Sequence, residues 1–159
     1  MSPYLGTYYY VFNNGREPLN DPNVRKALSM AIDRQLLVDT VTRAGQIPAY
    51  SMVPEMTGYP GIEGLGDDLD TARQLLADAG YPDGEGFPEL TVLYNTNEAH
   101  KSIAEFIQQQ WLDNLNINVT LENQEWGTYL NNRRQHNFDI ARAGWIGDYQ
   151  DPNTFLDMF

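Results

Sequence analysis

The sequence predicts an α/β domain built on a mixed, largely parallel sheet flanked by helices. Two patterns carry this reading. From Leu90 onward, apolar runs alternate with helical periodicity in the order strand, helix, strand, helix, strand. Such alternation implies right-handed crossovers and a parallel sheet in that half. Near the beginning, "GTYYYVFN" (Gly6 to Asn13) is aromatic and β-branched with no polar alternation, which fits a strand covered on both faces. The 159 residues suffice for one domain with a sizeable core, and 42% hydrophobic and 12% aromatic content are globular values.

The elements follow in order. After the aromatic strand, Asp21-Pro22 supplies an N-cap and a first-turn proline, and Val24, Ala27, Leu28, Ala31 and Ile32 recur at helical spacing. Asp33 is expected to cap a second helix through Leu36, Leu37 and Val41, ending at Gly45. Proline and glycine dominate Gln46 to Asp68, a long loop of the kind that is often functional. Ala72, Leu75, Leu76 and Ala79 mark a short helix stopped by Gly80. "LTVLY" (Leu90 to Tyr94) is a strand. A long helix follows from about Asn97 to Asn114, with Ile103, Ile107, Trp111 and Leu115 on one stripe. Ile117 to Leu121 is the next strand. Glu125 to Gln135 is a helix with Trp126, Tyr129, Leu130 and Arg133 along one face, and Phe138 to Ala143 is the last strand. The abrupt beginning and end suggest a piece of a longer protein.

Ten basic against 22 acidic residues leave a net charge of -12, which argues against nucleic-acid or anionic-membrane partners. The acid concentrates between Glu55 and Glu89, where Arg73 is the only base, and reads as a solvated surface. No cysteine is present, so disulfides are excluded. No run is apolar enough to span a bilayer. Enzyme templates fit poorly. His100 and His136 sit in no metal-ligand pattern. There is no G-x-S-x-G elbow, phosphate-cradling loop or cysteine nucleophile. No cofactor is implied.

The stretch "ARAGWIGDYQDPN" (Ala141 to Asn153) places a cation, a tryptophan and an acid at a strand end. By alternation Phe138, Ile140 and Arg142 share one face of the strand, and Asp139, Ala141 and Ala143 the other. Ligands of open α/β sheets bind at the carboxyl ends of strands. Asn95, His100, Arg133, Arg142, Trp145 and Asp148 are therefore placed to converge on one rim, with Trp126 on the face of Arg133. Each has a plainer alternative. Arg142 pairs with Asp139 or Asp151. Trp126 is core. His100 is a polar cap residue. Asp148 caps a helix beginning near Pro152. One of Arg133 and Arg134 faces solvent.

Five segments, "GTYYYVFNN", "NDPNVRKALSMAIDRQLL", "AGYPDGEGFPELTVLYNTNEAHKSIAEFIQQQW", "NINVTLENQEWGTYL" and "FDIARAGWIGDYQDPNTFLD", together resemble the periplasmic oligopeptide-binding proteins of ABC importers, extracellular solute-binding family 5. The resemblance spans nearly the whole chain. It implies one domain over 1–159, a partial C-terminal lobe of a two-lobed periplasmic-binding-protein type II-like fold. It also implies an oligopeptide ligand, an ABC permease partner, no catalysis, and a periplasmic location or a cell-surface lipoprotein. Asp148 matches the acid that pairs with a peptide α-amino group. Gly144 and Ile146 match positions whose backbone bonds the peptide main chain. Arg133, Arg142 and His100 match polar residues meeting the ligand's carboxylate or side chains. Trp126 and Trp145 match pocket walls, and Asn95 a rim residue. Ile146 stands where some relatives carry cysteine. A peptide-sensing receptor domain, a binder of another family ligand (dipeptide, nickel, haem, sugar) and an α/β hydrolase are the alternative readings.

Overall fold

The computed structural model describes residues 4–159. Four strands form one sheet: β1 (Gly6–Phe12), β2 (Leu90–Asn95), β3 (Val119–Gln124) and β4 (Ile140–Ile146). Their order is β1-β4-β2-β3. β2 runs parallel to both β3 and β4, and β1 closes the other edge antiparallel to β4. The sheet is mixed and largely parallel, as the alternating pattern predicted.

The helices are α1 (Pro22–Met30), α2 (Arg34–Leu37), α3 (Leu69–Asp78), α4 (Glu98–Leu115), α5 (Trp126–Arg134) and α6 (Asn153–Leu156). The predicted caps hold. Asp21 accepts from the Asn23 N–H, and Asp33 from the Leu36 N–H at 2.8 Å. The second helix departs from expectation. It loosens into a π-helical turn over Val38–Thr42 and ends where Arg43 adopts a left-handed φ of 49°, before Gly45.

The helices cover both sheet faces, and the strand order reverses because of it. α4 carries the chain from β2 to the adjacent β3 on one face. α5 carries it from β3 back across β2 to β4 on the other. On the α4 side, Trp111, Ile107 and Leu115 pack with Val24, Ala27 and Leu28 of α1, Ala72 and Leu76 of α3, and Leu90, Val92 and Ile140 of the sheet. On the α5 side, a smaller cluster joins Leu93, Tyr129, Phe138 and Ala141. The Trp111 indole N–H donates 2.8 Å to the Leu28 carbonyl. This satisfies the one polar atom that the largest fully buried side chain carries inside.

Several boundaries and faces differ from the sequence reading. β1 is an edge strand and is mostly half-buried, with Tyr8 37% exposed, so it is not covered on both faces. β3 starts at Val119 and continues through the polar Glu122, Asn123 and Gln124, a composition suited to an edge. Ile117 instead fills the core just after Asn116, whose left-handed φ of 56° ends α4. β4 begins two residues later and runs three residues further than expected. The Asn13 amide holds the carbonyls of His136 and Phe138, each at 2.9 Å, outside the ladder. Phe138 therefore packs with Ala141 on the α5 side and does not share a face with Ile140.

The long loop between Thr42 and Leu69 is anchored to the sheet by the Thr7 hydroxyl, which donates 2.9 Å to the Met52 carbonyl. Arg34 pairs with Asp67 and lies 5.5 Å from the Tyr50 ring centroid. Gly64 is required there: a Cβ would lie 1.5 Å from the Tyr50 carbonyl oxygen.

Trp111→Phe should cost about 1–3 kcal/mol, because the buried Leu28 carbonyl loses its donor. Trp111→Ala should cost about 3–5 kcal/mol, because a cavity is added. Urea unfolding measures both, and equal losses would contradict this division.

Candidate functional site

Asn95, His100 and Arg142, three of the sequence-nominated residues, come together where β2 and β4 part. In an antiparallel ladder, pairs that exchange main-chain bonds alternate with pairs whose main-chain groups point outward. The Gly147 N–H donates to the Leu5 carbonyl (2.9 Å) and the Asn13 N–H to the Asp139 carbonyl (2.8 Å). The odd-numbered residues of β4 thus bond β1. Arg142, Gly144 and Ile146 turn their N–H and C=O groups toward the β2 side. β2 meets β4 only at Val92 with Ile140 and Leu93 with Ala141. Beyond Ala141, β4 projects alone with an open main-chain edge. This is also the crevice between strands connected in opposite directions, where open α/β sheets hold ligands.

Tyr129 closes the start of the gap. It is fully buried, and its hydroxyl donates to the Arg142 carbonyl, the first outward carbonyl that β2 leaves unserved. Two other residues of α5 meet its ring. Trp126 stacks on it at 5.6 Å and 24°, and the Arg133 guanidinium lies 5.8 Å from its centroid. Trp126 is 52% exposed, so the core reading of this tryptophan is overturned: it opens the first turn of α5. Arg134 is exposed and Arg133 half-buried, as the alternative for this pair expected.

The Arg142 side chain lies on the α4 side of the sheet. Its Nη1 donates to Asn95 Oδ1 at 3.1 Å, and its guanidinium lies 5.0 Å from the Tyr8 centroid. Gly144, opposite Tyr8 in the ladder, leaves the room. A Cβ there would sit 3.3 Å from Arg142 Nη2. Arg142 Nε and the Tyr10 hydroxyl are buried without hydrogen-bond partners among the described residues. Pairing of Arg142 with Asp139 or Asp151 is not found. Asp139 is held by Arg16 at 2.7 Å and by the Thr91 N–H at 3.0 Å. Asp151 accepts from the Asn153 N–H at 2.8 Å.

His100 meets this cluster from α4. Its Nδ1 lies 3.3 Å from the Tyr8 hydroxyl, and the two rings are 5.6 Å apart. It is not the cap of α4. Asn97 is, accepting from the N–H groups of Ala99 and His100. Burial and then the Arg142 charge lower the His100 pKa. Burial pushes the Tyr8 phenol up to about 12, with Arg142 pulling the other way. Tyr8 as a whole is 37% exposed, but its hydroxyl end lies toward His100, Arg142 and Tyr10. Burial, then Tyr8, raises the Tyr10 phenol.

Asn95, His100 and Arg142 are therefore brought together. Trp126 and Arg133 flank Tyr129 on the opposite face, joined to the cluster through the Arg142 carbonyl. Trp145 lies on the α5 side by alternation, with its Nε1 buried and lacking a partner among the described residues. Ile146 is 59% exposed. Asp148 is exposed on the following loop. Its N–H donates to Thr154 Oγ1, while Pro152 stands at the N-cap of α6 and Asp151 accepts from the Asn153 N–H, so Asp148 is not that cap. Sequence reasoning missed Tyr8, Tyr10 and Tyr129. Tyr8 and Tyr10 share a face at i and i+2 of the aromatic strand, a signal readable only once β1 is paired with β4.

Tyr129→Phe should lower stability by about 1–3 kcal/mol through the orphaned Arg142 carbonyl, as measured by chemical unfolding. His100 should make stability pH-dependent. The folded chain gives up this proton more readily than the unfolded chain. Its contribution is therefore whole above the ordinary value of 6.5 and is lost as pH falls from 6.5 to the lower folded value. Between about pH 7.5 and about pH 5, His100→Gln should lose less thermal stability than the parent. Identical pH profiles would refute this.

The family model described as bacterial extracellular solute-binding proteins, family 5 Middle, matches residues 1–159. The chain is 44% identical to the periplasmic murein peptide-binding protein MppA of Escherichia coli (98% of this chain, 30% of that protein). It is 43% identical to the periplasmic oligopeptide-binding protein OppA of Salmonella typhimurium (99% and 30%). Among solved structures, an oligopeptide-binding protein of Borrelia burgdorferi, OppAIV, superposes with a TM-score of 0.93 at 50% identity, over 97% of this chain and 31% of that one. Haemophilus influenzae OppA, solved in complex with RPPGFSPFR, gives 0.85 at 38% identity, over 98% and 32%. The chain thus spans about a third of the length of these relatives. It belongs to the bacterial extracellular solute-binding proteins, family 5, and corresponds to their middle region.

Proposed function

We propose that this chain forms one wall of a cleft that binds extended oligopeptides, within a longer protein that delivers them to an ABC importer. The observation that carries the reading is the open edge of β4. The N–H and C=O groups of Gly144 and Ile146 point away from β1 into a gap that β2 does not fill. An extended peptide fits such an edge by strand addition, which recognises main chain whatever the side-chain sequence. Arg142 and His100 lie beside that edge for a carboxylate, a carbonyl or polar side chains. Trp126 and Trp145 provide apolar walls. Asp148 stands beyond the strand end for a peptide α-amino group, and Arg133 on α5 for a longer ligand or an acidic side chain.

The relatives named as murein peptide-binding and oligopeptide-binding proteins support this reading, as does the relative solved with a bound nonapeptide. In this reading the chain is one structural unit, part of the C-terminal lobe, and catalyses nothing. Among the described residues no helix is long and apolar enough to cross a membrane. We place the protein outside the cytoplasmic membrane, periplasmic or as a cell-surface lipoprotein, with the permease as its partner.

Two titrations of the longer protein test the cleft. N-methylating the backbone amide that pairs with the β4 edge should weaken a tripeptide about tenfold or more, through one lost hydrogen bond and a steric clash. Equal affinity for every N-methylated isomer would overturn strand addition. N-acetylating the peptide and mutating Asp148→Ala should each cost on the order of a hundredfold, since each leaves one charge of a desolvated pair unmatched. The two losses should not add, because both delete the same pair. An acetylated peptide binding as tightly as the free one would remove Asp148 from the site.

A further inference from the structure

We propose that Tyr8 of β1 is a positioning residue: its hydroxyl donates to Nδ1 of His100, leaving Nε2 as the ring's N–H donor and keeping the imidazole uncharged beside Arg142. The peptide-binding reading enters only in assigning that donor to a ligand oxygen.

The geometry concentrates on one ring. The Arg142 guanidinium lies 5.0 Å from the Tyr8 centroid, within the range at which a cation is attracted to an aromatic face. His100 lies 5.6 Å from the same ring at 43°, with Nδ1 3.3 Å from the hydroxyl. Tyr10 braces Tyr8 edge-on at 6.2 Å and 63°. The His100 backbone is fixed by the Asn97 cap, so the imidazole meets Tyr8 from a rigid helix start.

Charge makes the assignment one-directional. Tyr8 from β1 and Arg142 from β4 are the groups that meet His100 across the sheet, while Glu98 and Lys101 share its helix. An imidazolium would face a guanidinium over one tyrosine. A neutral ring can carry its proton on either nitrogen, and the tautomer follows its hydrogen bond: the Arg142 cation draws the lone pairs of the Tyr8 oxygen and turns the O–H toward Nδ1, and the phenol stays protonated throughout the physiological range. The rim then carries one full charge, at Arg142, and one neutral donor next to it. A single carboxylate or a main-chain carbonyl is matched without surplus positive charge. Protonating Nδ1 turns Tyr8 from donor to acceptor, with its oxygen already facing the Arg142 cation, and sets like charges together, so the arrangement holds only while His100 is neutral.

Nitrogen-15 NMR of the imidazoles in the 159-residue chain tests this without any ligand. The chain has two histidines, and exposed His136 serves as the internal reference. In the parent, His100 Nδ1 should carry the shift of a hydrogen-bonded acceptor and titrate below the ordinary imidazole value of 6.5. Tyr8→Phe keeps the ring under Arg142 and removes the donor. Its His100 Nδ1 should move to the position of a free acceptor, and its midpoint should rise by about half a pH unit or more, because the neutral form has lost its bond. His100→Asn should leave the His136 titration untouched, confirming the assignment. Unchanged Nδ1 shift and midpoint in Tyr8→Phe would overturn the proposal. Absence of peptide binding by the longer protein would overturn the cleft reading and leave this measurement standing.

Discussion

The structure depends on a short overlap. β2 and β4 are parallel neighbours, yet they pair at only two positions. The candidate site lies where that pairing stops. A strand that projects past its neighbour leaves outward main-chain groups that need partners, because buried peptide groups left unmatched are costly. The first carbonyl, that of Arg142, is met by the Tyr129 hydroxyl. Those of Gly144 and Ile146 face solvent on an exposed stretch. The chain thus satisfies the gap only as far as it is buried.

Both sheet faces cooperate at this one edge. From the α5 side, a buried tyrosine reaches through to the backbone of β4, with Trp126 stacked on its ring and the Arg133 guanidinium 5.8 Å from its centroid. From the α4 side, Tyr8, Asn95 and His100 surround the Arg142 side chain. One residue, Arg142, is therefore held by its carbonyl from one layer and by its guanidinium from the other. Its charge is offset by an amide oxygen and an aromatic face, with no carboxylate paired to it among the described residues. That leaves the cation available to an anionic partner, where an internal ion pair would have consumed it.

The acidic surface is compatible with this site. Nine acids and one base between Glu55 and Glu89 carry -8 of the net charge of -12, while Arg142 lies against Tyr8 on one sheet face and Arg133 against Tyr129 on the other. A locally basic, aromatic notch in an acidic domain favours a ligand carrying its own carboxylate, and disfavours polyanions at large.

Sequence alone determined the element types, the caps at Asp21 and Asp33, and the parallel half of the sheet. Those features rest on local chemistry: periodicity, capping oxygens, and glycines and prolines at element ends. It placed Asn95, His100 and Arg142 on one rim because strand ends and helix starts alternate predictably in α/β chains. What only the tertiary structure decided was long-range. The aromatic run gave no sign that β1 lies at an edge, since a strand's own residues do not name its neighbour. Arg142 met an aromatic ring while Asp139 turned to Arg16, 123 residues away in sequence, and neither partner is named by the strand's own residues. Trp126 looked like core because helical spacing cannot say where a helix overhangs its sheet. Tyr129 and Tyr8 were invisible as site residues for the same reason: their partners are a backbone carbonyl on another element and an imidazole 92 residues away, and only folding brings those together.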